Sequence, residues 1–558
     1  MLSFFWRRVL ILLFVLLLAG VGAGRIISTY GVFNYITDEP AHIACGMEWL
    51  DRGTYNYEAQ HPPLARVAAA LGPFLAGIRY TGQEAMWREG KDILHARGLY
   101  YRNLALARMG ILPFFFLATI MVWIWSRKLF GDATALAATV LFTSLPPVLA
   151  HAGLATTDMA IAATFLGAIY AFTLWLERPT VVYSLVFGIT SALAILSKLS
   201  ALLFLPVCCV ALLTWRRVIE KDAEESSQYN IRRRFVASGL CIITAFFVIW
   251  AGYHFSVSSL TTVEDRPHEA IDSFVGEEGT LYNLAYALAE AQIFPAVELI
   301  KGIEQVRLHN ARGHTSYLFG KVRQKGCWYY FPVALAVKTP LPFLILTVLG
   351  LVMIVRQVWY KRKWRLLEPV ICAVAILLAC LTSNINIGVR HILPIYPLLA
   401  IIAGFGAISF WNFEHMKYLG RGLVIALMVW QVTTSLLAHP DYLAYFNELA
   451  SRNPEQILVD SDLDWGQDLQ RLSKKLRALG VSNVAIKYFG SADLDQFDLP
   501  AMKSLVPYQP TTGWIAISIW HLKISDGFSW LEAHEPAALA GRSIRLYYIP
   551  ETKDAEIS

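Results

Sequence analysis

Apolar runs of about 17–25 residues recur along this chain, and each is long enough for a helix to cross the ~30 Å hydrocarbon layer of a bilayer. Eleven segments qualify: 6–24, 109–126, 134–150, 159–176, 181–197, 199–215, 235–253, 338–356, 367–383, 392–411 and 422–438. The 558 residues are 56% hydrophobic and only 16% charged, well below the quarter expected of a soluble domain, so the chain reads as a polytopic membrane protein. The net charge of +6 matters less than where the cations lie. Arg7, Arg8, Arg127, Lys128, Arg216, Arg217, Lys221, Arg232–Arg234, Arg356, Lys361–Lys363, Arg365, Lys417 and Arg421 fall in loops on one side, whereas the opposite short loops hold only Lys198 and Arg390. Cations concentrate in cytoplasmic loops, so the N-terminus is expected inside a bacterial plasma membrane, with the first span a retained signal anchor.

Three long segments then lie outside: 25–108, 254–337 and 439–558. The first two belong to a membrane module over 1–438. Apolar periodicity at Leu64–Leu75 predicts a helix that lies along the interface or packs on the bundle, and Leu281–Val306 is a second interfacial candidate. The third segment reads as a small α/β domain, with strands expected at 456–459, 483–489, 514–520 and 543–549 and a helix over 466–479. No Walker-type or dinucleotide Gly-rich loop is present, which argues against nucleotide-driven transport. The seven cysteines lack metal-ligand spacing; Cys45 and Cys327, both in outer loops, are the one pair placed to bridge.

Acids and bases from several loops share the outer face. Asp38, Glu39, His42 and His61 lie in the first loop, and His151 and Asp158 between the third and fourth spans. Lys198 follows the fifth span, Lys338 opens the eighth, and Arg390-His391 precede the tenth. Taken singly, a Lys or Arg at a helix end snorkels and a His among aromatics is structural. Two adjacent carboxylates at a span end need a compensating partner, so Asp38 stands out. This set suits transfer of a group from a phosphate-bearing lipid: a carboxylate takes the proton of an acceptor hydroxyl, while Arg and Lys neutralise the departing phosphate. Four Asp within Asp460–Asp468 read as structural, ahead of a helix whose N-terminus they suit.

The Asp38-Glu39 pair after the first span, with Gln60-His61-Pro62-Pro63-Leu64, resembles the bacterial polyprenyl-phosphate-dependent glycosyltransferases of the GT-C fold, which include protein O-mannosyltransferases and aminoarabinose transferases. Leu154-Ala155-Thr156-Thr157-Asp158, Gly313-His314-Thr315-Ser316-Tyr317, Tyr329-Tyr330-Phe331-Pro332, Lys338-Thr339-Pro340, Asn386-Ile387-Gly388-Val389-Arg390-His391, Tyr445-Phe446-Asn447 and the Asp460–Asp468 run extend the likeness through most of the chain. The resemblance implies an inverting transferase acting on a lipid-phosphate sugar and a protein, lipid or glycan hydroxyl, without nucleic acid. Asp38 would be the general base, and Glu39 would position a substrate. Asp158 would be a second acidic position, with Lys338 and Arg390 on the donor phosphate. His61, Lys198 and His391 complete the candidate substrate-binding set. His61 stands where aminoarabinose transferases carry Lys, a departure that bears on the acceptor. Some members of the superfamily use a divalent metal, for which Asp38, Asp158 and His61 are the candidate ligands. The competing reading is a secondary transporter or flippase for a lipid-linked sugar, but such proteins place ionisable groups near mid-membrane, often in two matching halves.

Overall fold

The structure is a computed structural model that describes residues 4–219, 227–260, 279–291, 293–361, 363–414, 417–450 and 453–551. Each of the eleven expected segments holds a helix, though they differ in length. Seven described helices are long and apolar enough to cross a bilayer, or eight when the pair Asp132–Thr143 and Pro146–Ala152 counts as one span. That pair bends by 64°, where Pro146 and Pro147 cannot continue the preceding hydrogen-bond ladder. Helices Val181–Ser197 and Ile395–Trp411 have 17 residues each, at the short end of spanning length, whereas Glu368–Cys380 has 13, which at 1.5 Å per residue falls short of a full crossing.

The first outer loop is mostly helical. Helix Glu39–Arg52 carries Pro40 in its first turn, where a missing N–H costs nothing. Helix Pro63–Leu75 packs on it so closely that a Cβ on Gly46 would lie 2.0 Å from the Arg66 carbonyl oxygen. Of the two placements open for this helix, packing on its neighbours is the observed one. The expected 281–306 helix is instead two, Thr280–Glu290 and Val297–Arg312. Between them Phe294–Pro295 pairs with Val257–Ser258 as a short antiparallel ribbon, because Pro295 lacks the N–H a continuous helix needs. Leu281, Leu284, Leu288, Ile300 and Ile303 are exposed, as an interfacial surface would require.

Within 439–558 lies a five-stranded sheet. Strand Asn483–Lys487 runs parallel to both Ala501–Ser504 and Gly513–Ser518. Gly513–Ser518 pairs antiparallel with Ile544–Ile549, whose other edge takes Ala538–Ala540. The strand expected at 456–459 does not form: a 3-10 turn occupies Pro454–Gln456, and Leu458 and Val459 are buried in packing instead. The expected helix 466–479 spans Leu469–Ala478. One apolar core runs without a break from the membrane helices into this sheet, joining Ile43, Phe165 and Tyr396 to Leu469, Leu472 and Val484. Cys45 and Cys327 are both free thiols, so the expected bridge is absent.

Candidate active site at one end of the helix bundle

Five loops and the C-terminal region meet at one end of the bundle. Asp38 occupies the residue before helix Glu39–Arg52 without capping it through its side chain, and its Oδ2 accepts a hydrogen bond from Arg390 Nη1 at 3.1 Å. The Asp38 side chain is 29% exposed and that of Arg390 10%, so the pair closes the cluster toward solvent. Trp465 of the tail domain stacks under Arg390, its ring centre 4.1 Å from the guanidinium carbon. Burial works against the Arg390 charge, but the Asp38, Asp158 and Asp460 carboxylates outweigh it and hold the group protonated. Arg390 Nε is buried with no acceptor among the described residues, leaving one donor for an incoming oxygen.

Behind this pair lies a second one. Asp158 at the start of helix Asp158–Glu177 accepts from Lys198 Nζ at 2.6 Å and from Thr156 Oγ1 at 3.2 Å. His151 Nδ1 stands 3.9 Å from the same carboxylate. The half-buried His391 is held well below the usual imidazole range first by desolvation and then by the Lys198 and Arg390 charges. His151 Nδ1 and His391 Nε2 both lack a partner among the described residues, so the cluster keeps polar atoms in reserve. His61 is 29% exposed, with Nδ1 3.2 Å from Glu58 Oε2. A third strand of contacts runs from Gln60 Nε2 to His309 Nδ1 (2.9 Å) and from His309 Nε2 to His314 Nδ1 (3.1 Å).

Two expected substrate contacts sit elsewhere. Glu39 has no exposed surface, and Arg108 Nε and Nη2 donate to its two oxygens at 2.8 Å each. The backbone N–H groups of Ala155 and Ile36 donate to the same carboxylate at 2.9 Å. With both oxygens committed, Glu39 fastens the first loop to its neighbours. Lys338 is 2% exposed; its ammonium donates to the carbonyls of Leu443 (2.8 Å) and Asp462 (2.5 Å) and lies over the Phe446 ring. It ties the tail to helix Tyr330–Lys338. Lys338→Met should therefore strand two buried carbonyls and lower stability by roughly 1–3 kcal/mol, read as a fall in the unfolding midpoint in detergent. The donor KM should stay within about twofold.

The proposed metal set does not converge either. Lys198 and Thr156 occupy Asp158, Arg390 holds Asp38, and among the described residues no group of three or more His, Cys, Asp or Glu is placed to hold a cation.

Several contributors went unread in the sequence. Arg66, 1% exposed, donates to His42 Nδ1 and Tyr55 OH at 3.0 Å each and pairs with Glu58, shaping the loop that carries His61. Burial first, then Arg66, keeps His42 neutral. An Arg inside the apolar run Leu64–Leu75 was the available signal, since a buried Arg must have partners. The Asp460–Asp468 run is structural, though not as a helix cap. Asp468 Oδ2 accepts from the Arg542 and Ser543 backbones, Asp464 accepts from the Gly466 and Trp520 backbones, and Asp462 Oδ1 accepts from Val389 N at 3.0 Å, next to Arg390. Ser461 Oγ donates to the Ile387 carbonyl. Gly388 sits at φ +147°, and a Cβ there would lie 2.2 Å from Ser461 Oγ, so only glycine permits this approach. Burial raises Asp460, beside Arg390, to about 6.

Residues 106–224 match the family model described as dolichyl-phosphate-mannose-protein mannosyltransferase. No curated protein matches the chain. The archaeal oligosaccharyltransferase AglB from Archaeoglobus fulgidus, solved with an inhibitory peptide and a dolichol-phosphate, aligns over 100% of this chain and 76% of its own at 11% identity and a TM-score of 0.50. ArnT from Cupriavidus metallidurans, bound to undecaprenyl phosphate, aligns over 95% of this chain and 97% of its own at 14% identity and a TM-score of 0.47. The chain is a multi-pass membrane protein that shares the GT-C fold of the archaeal oligosaccharyltransferase AglB. Its segment 106–224 carries sequence likeness to the mannosyltransferase family.

Proposed function

We propose that the chain is an inverting glycosyltransferase that moves a sugar from a polyprenyl-phosphate-linked donor to a hydroxyl acceptor on the extracytoplasmic face of a bacterial plasma membrane. The observation that carries this reading is the Asp38–Arg390 pair: a partly exposed carboxylate held 3.1 Å from a guanidinium that keeps a free N–H. A donor phosphate that takes over Arg390 frees the Asp38 oxygens. Asp38 then accepts the acceptor's proton as the acceptor oxygen bonds to the anomeric carbon, and the bond from that carbon to phosphate breaks. The products are the glycosylated acceptor and polyprenyl phosphate, whose charge Arg390 and Lys198 neutralise. Transport is the less supported reading, because the ionisable cluster gathers at one end of the helices.

The test is to incubate purified protein in detergent with a panel of polyprenyl-phosphate sugars and to measure polyprenyl phosphate. Release with one sugar, rising when acceptor is added, is the expected result. No release with any sugar, together with movement of a lipid-linked sugar across liposomes, would overturn the reading in favour of transport. The support under Arg390 gives a second handle. Asp462→Ala removes the acceptor of the Val389 N–H and loosens the Arg390 loop, and misplacement of a phosphate clamp by about 1 Å costs on the order of 10–100-fold in kcat/KM. That loss should appear in a donor titration before any change in the far-ultraviolet spectrum.

A further inference from the structure

At the end of helix Asp158–Glu177 opposite Asp158 lies a cavity of about 460 Å³ that the proposed reaction does not use. Twenty helical residues, about 30 Å, separate the two regions. Lys128, Arg216, Lys363 and Arg365 line the cavity, facing two carboxylates, Glu177 and Glu368. Glu177 Oε1 is shared between Lys128 Nζ at 2.8 Å and Arg365 Nη1 at 3.1 Å, so one carboxylate draws two cations inward. Lys363 is exposed and makes no ion pair with a described residue. Trp215 packs edge to face on Trp364 with ring centres 5.7 Å apart, and both line the wall. The Trp215 indole N–H is buried and finds no acceptor among the described residues. Among the described residues, an excess of cations converging from several elements, an orphaned N–H donor and paired tryptophans at a helix end ask for one kind of occupant: an anion rich in acceptor oxygens.

We propose that this cavity is a phosphoryl-anion site, filled either by the headgroup phosphate of an acidic phospholipid in the leaflet opposite Asp38 or by a soluble phosphate. The lipid is the source that the two tryptophans and the position at a helix end favour.

The test uses the full chain in neutral detergent, with native mass spectrometry for retained lipid and the unfolding midpoint for free phosphate. Phosphatidylglycerol, phosphatidylcholine and inorganic phosphate are the probes. Phosphatidylglycerol should bind with preference over phosphatidylcholine. The double variant Lys363→Gln/Arg365→Gln should weaken that binding about 25-fold, at about fivefold per cation. Trp215→Phe keeps an aromatic ring in the wall but removes the indole N–H together with its five-membered ring, and should weaken it about tenfold. A midpoint rise with inorganic phosphate alone, lost in the same variants, would keep the site and assign it the soluble source. Equal binding of both lipids, or binding unchanged in the variants, would overturn it. Binding is read here without catalysis, so a failure of the transferase reading would leave this result standing.

Discussion

Asp38→Asn is expected to cut sugar transfer on the order of 10³–10⁴-fold while leaving a folded, donor-binding protein. Asparagine keeps the size and the Arg390 contact but has no lone pair basic enough to take the acceptor's proton. The stability cost should be small, roughly 1 kcal/mol or less, because the pair is partly solvated. The measurement is polyprenyl phosphate released per enzyme at saturating donor, beside a donor-binding titration and an unfolding midpoint. The same loss accompanied by lost donor binding would move Asp38 from base to binding group; turnover near wild type would remove it from the mechanism.

The neighbouring carboxylate should behave in the opposite way. Glu39→Gln is expected to destabilise the protein by about 3–5 kcal/mol, since it leaves the Arg108 guanidinium buried without its counter-charge. Arg108 is 1% exposed and Glu39 has no exposure, so no water can substitute for the missing charge. The check is yield and unfolding midpoint in detergent, with transfer normalised to folded protein. Transfer per folded molecule should remain near wild type. A stable Glu39→Gln protein with a collapsed kcat would instead return Glu39 to the substrate.

These two residues also show how far the sequence can be read. That Asp38 and Glu39 needed partners followed from their place at a span end; which partners they have did not. Arg108 is 69 residues from Glu39, and Lys338 finds its carbonyls 105 and 124 residues away. Such pairings depend on how loops fold over one another, and no periodicity records that. The helices were legible because an apolar run of bilayer length has few other solutions. Pro295, visible in the sequence, marked the break in 281–306 that apolar spacing concealed. The stretch at 456–459 failed as a strand because a short apolar run fits a buried turn as well as a sheet. The tail's part in the site, Trp465 under Arg390, was hidden for the same reason as the ion pairs: aromatic stacking across domains leaves no local trace.

The meeting of Asp38 with Arg390 has a consequence for the timing of biosynthesis. The two are 352 residues apart, which at ~5–20 residues per second is roughly 20–70 s of translation. Asp462, which steadies the Arg390 loop, and Trp465, which lies beneath it, emerge later still. Until then the ribosome holds a chain that has made Asp38 but, under the proposed function, has nothing to grip a donor phosphate. Under the proposed function, a nascent or truncated copy that lacks Arg390 is expected to be inactive in transfer.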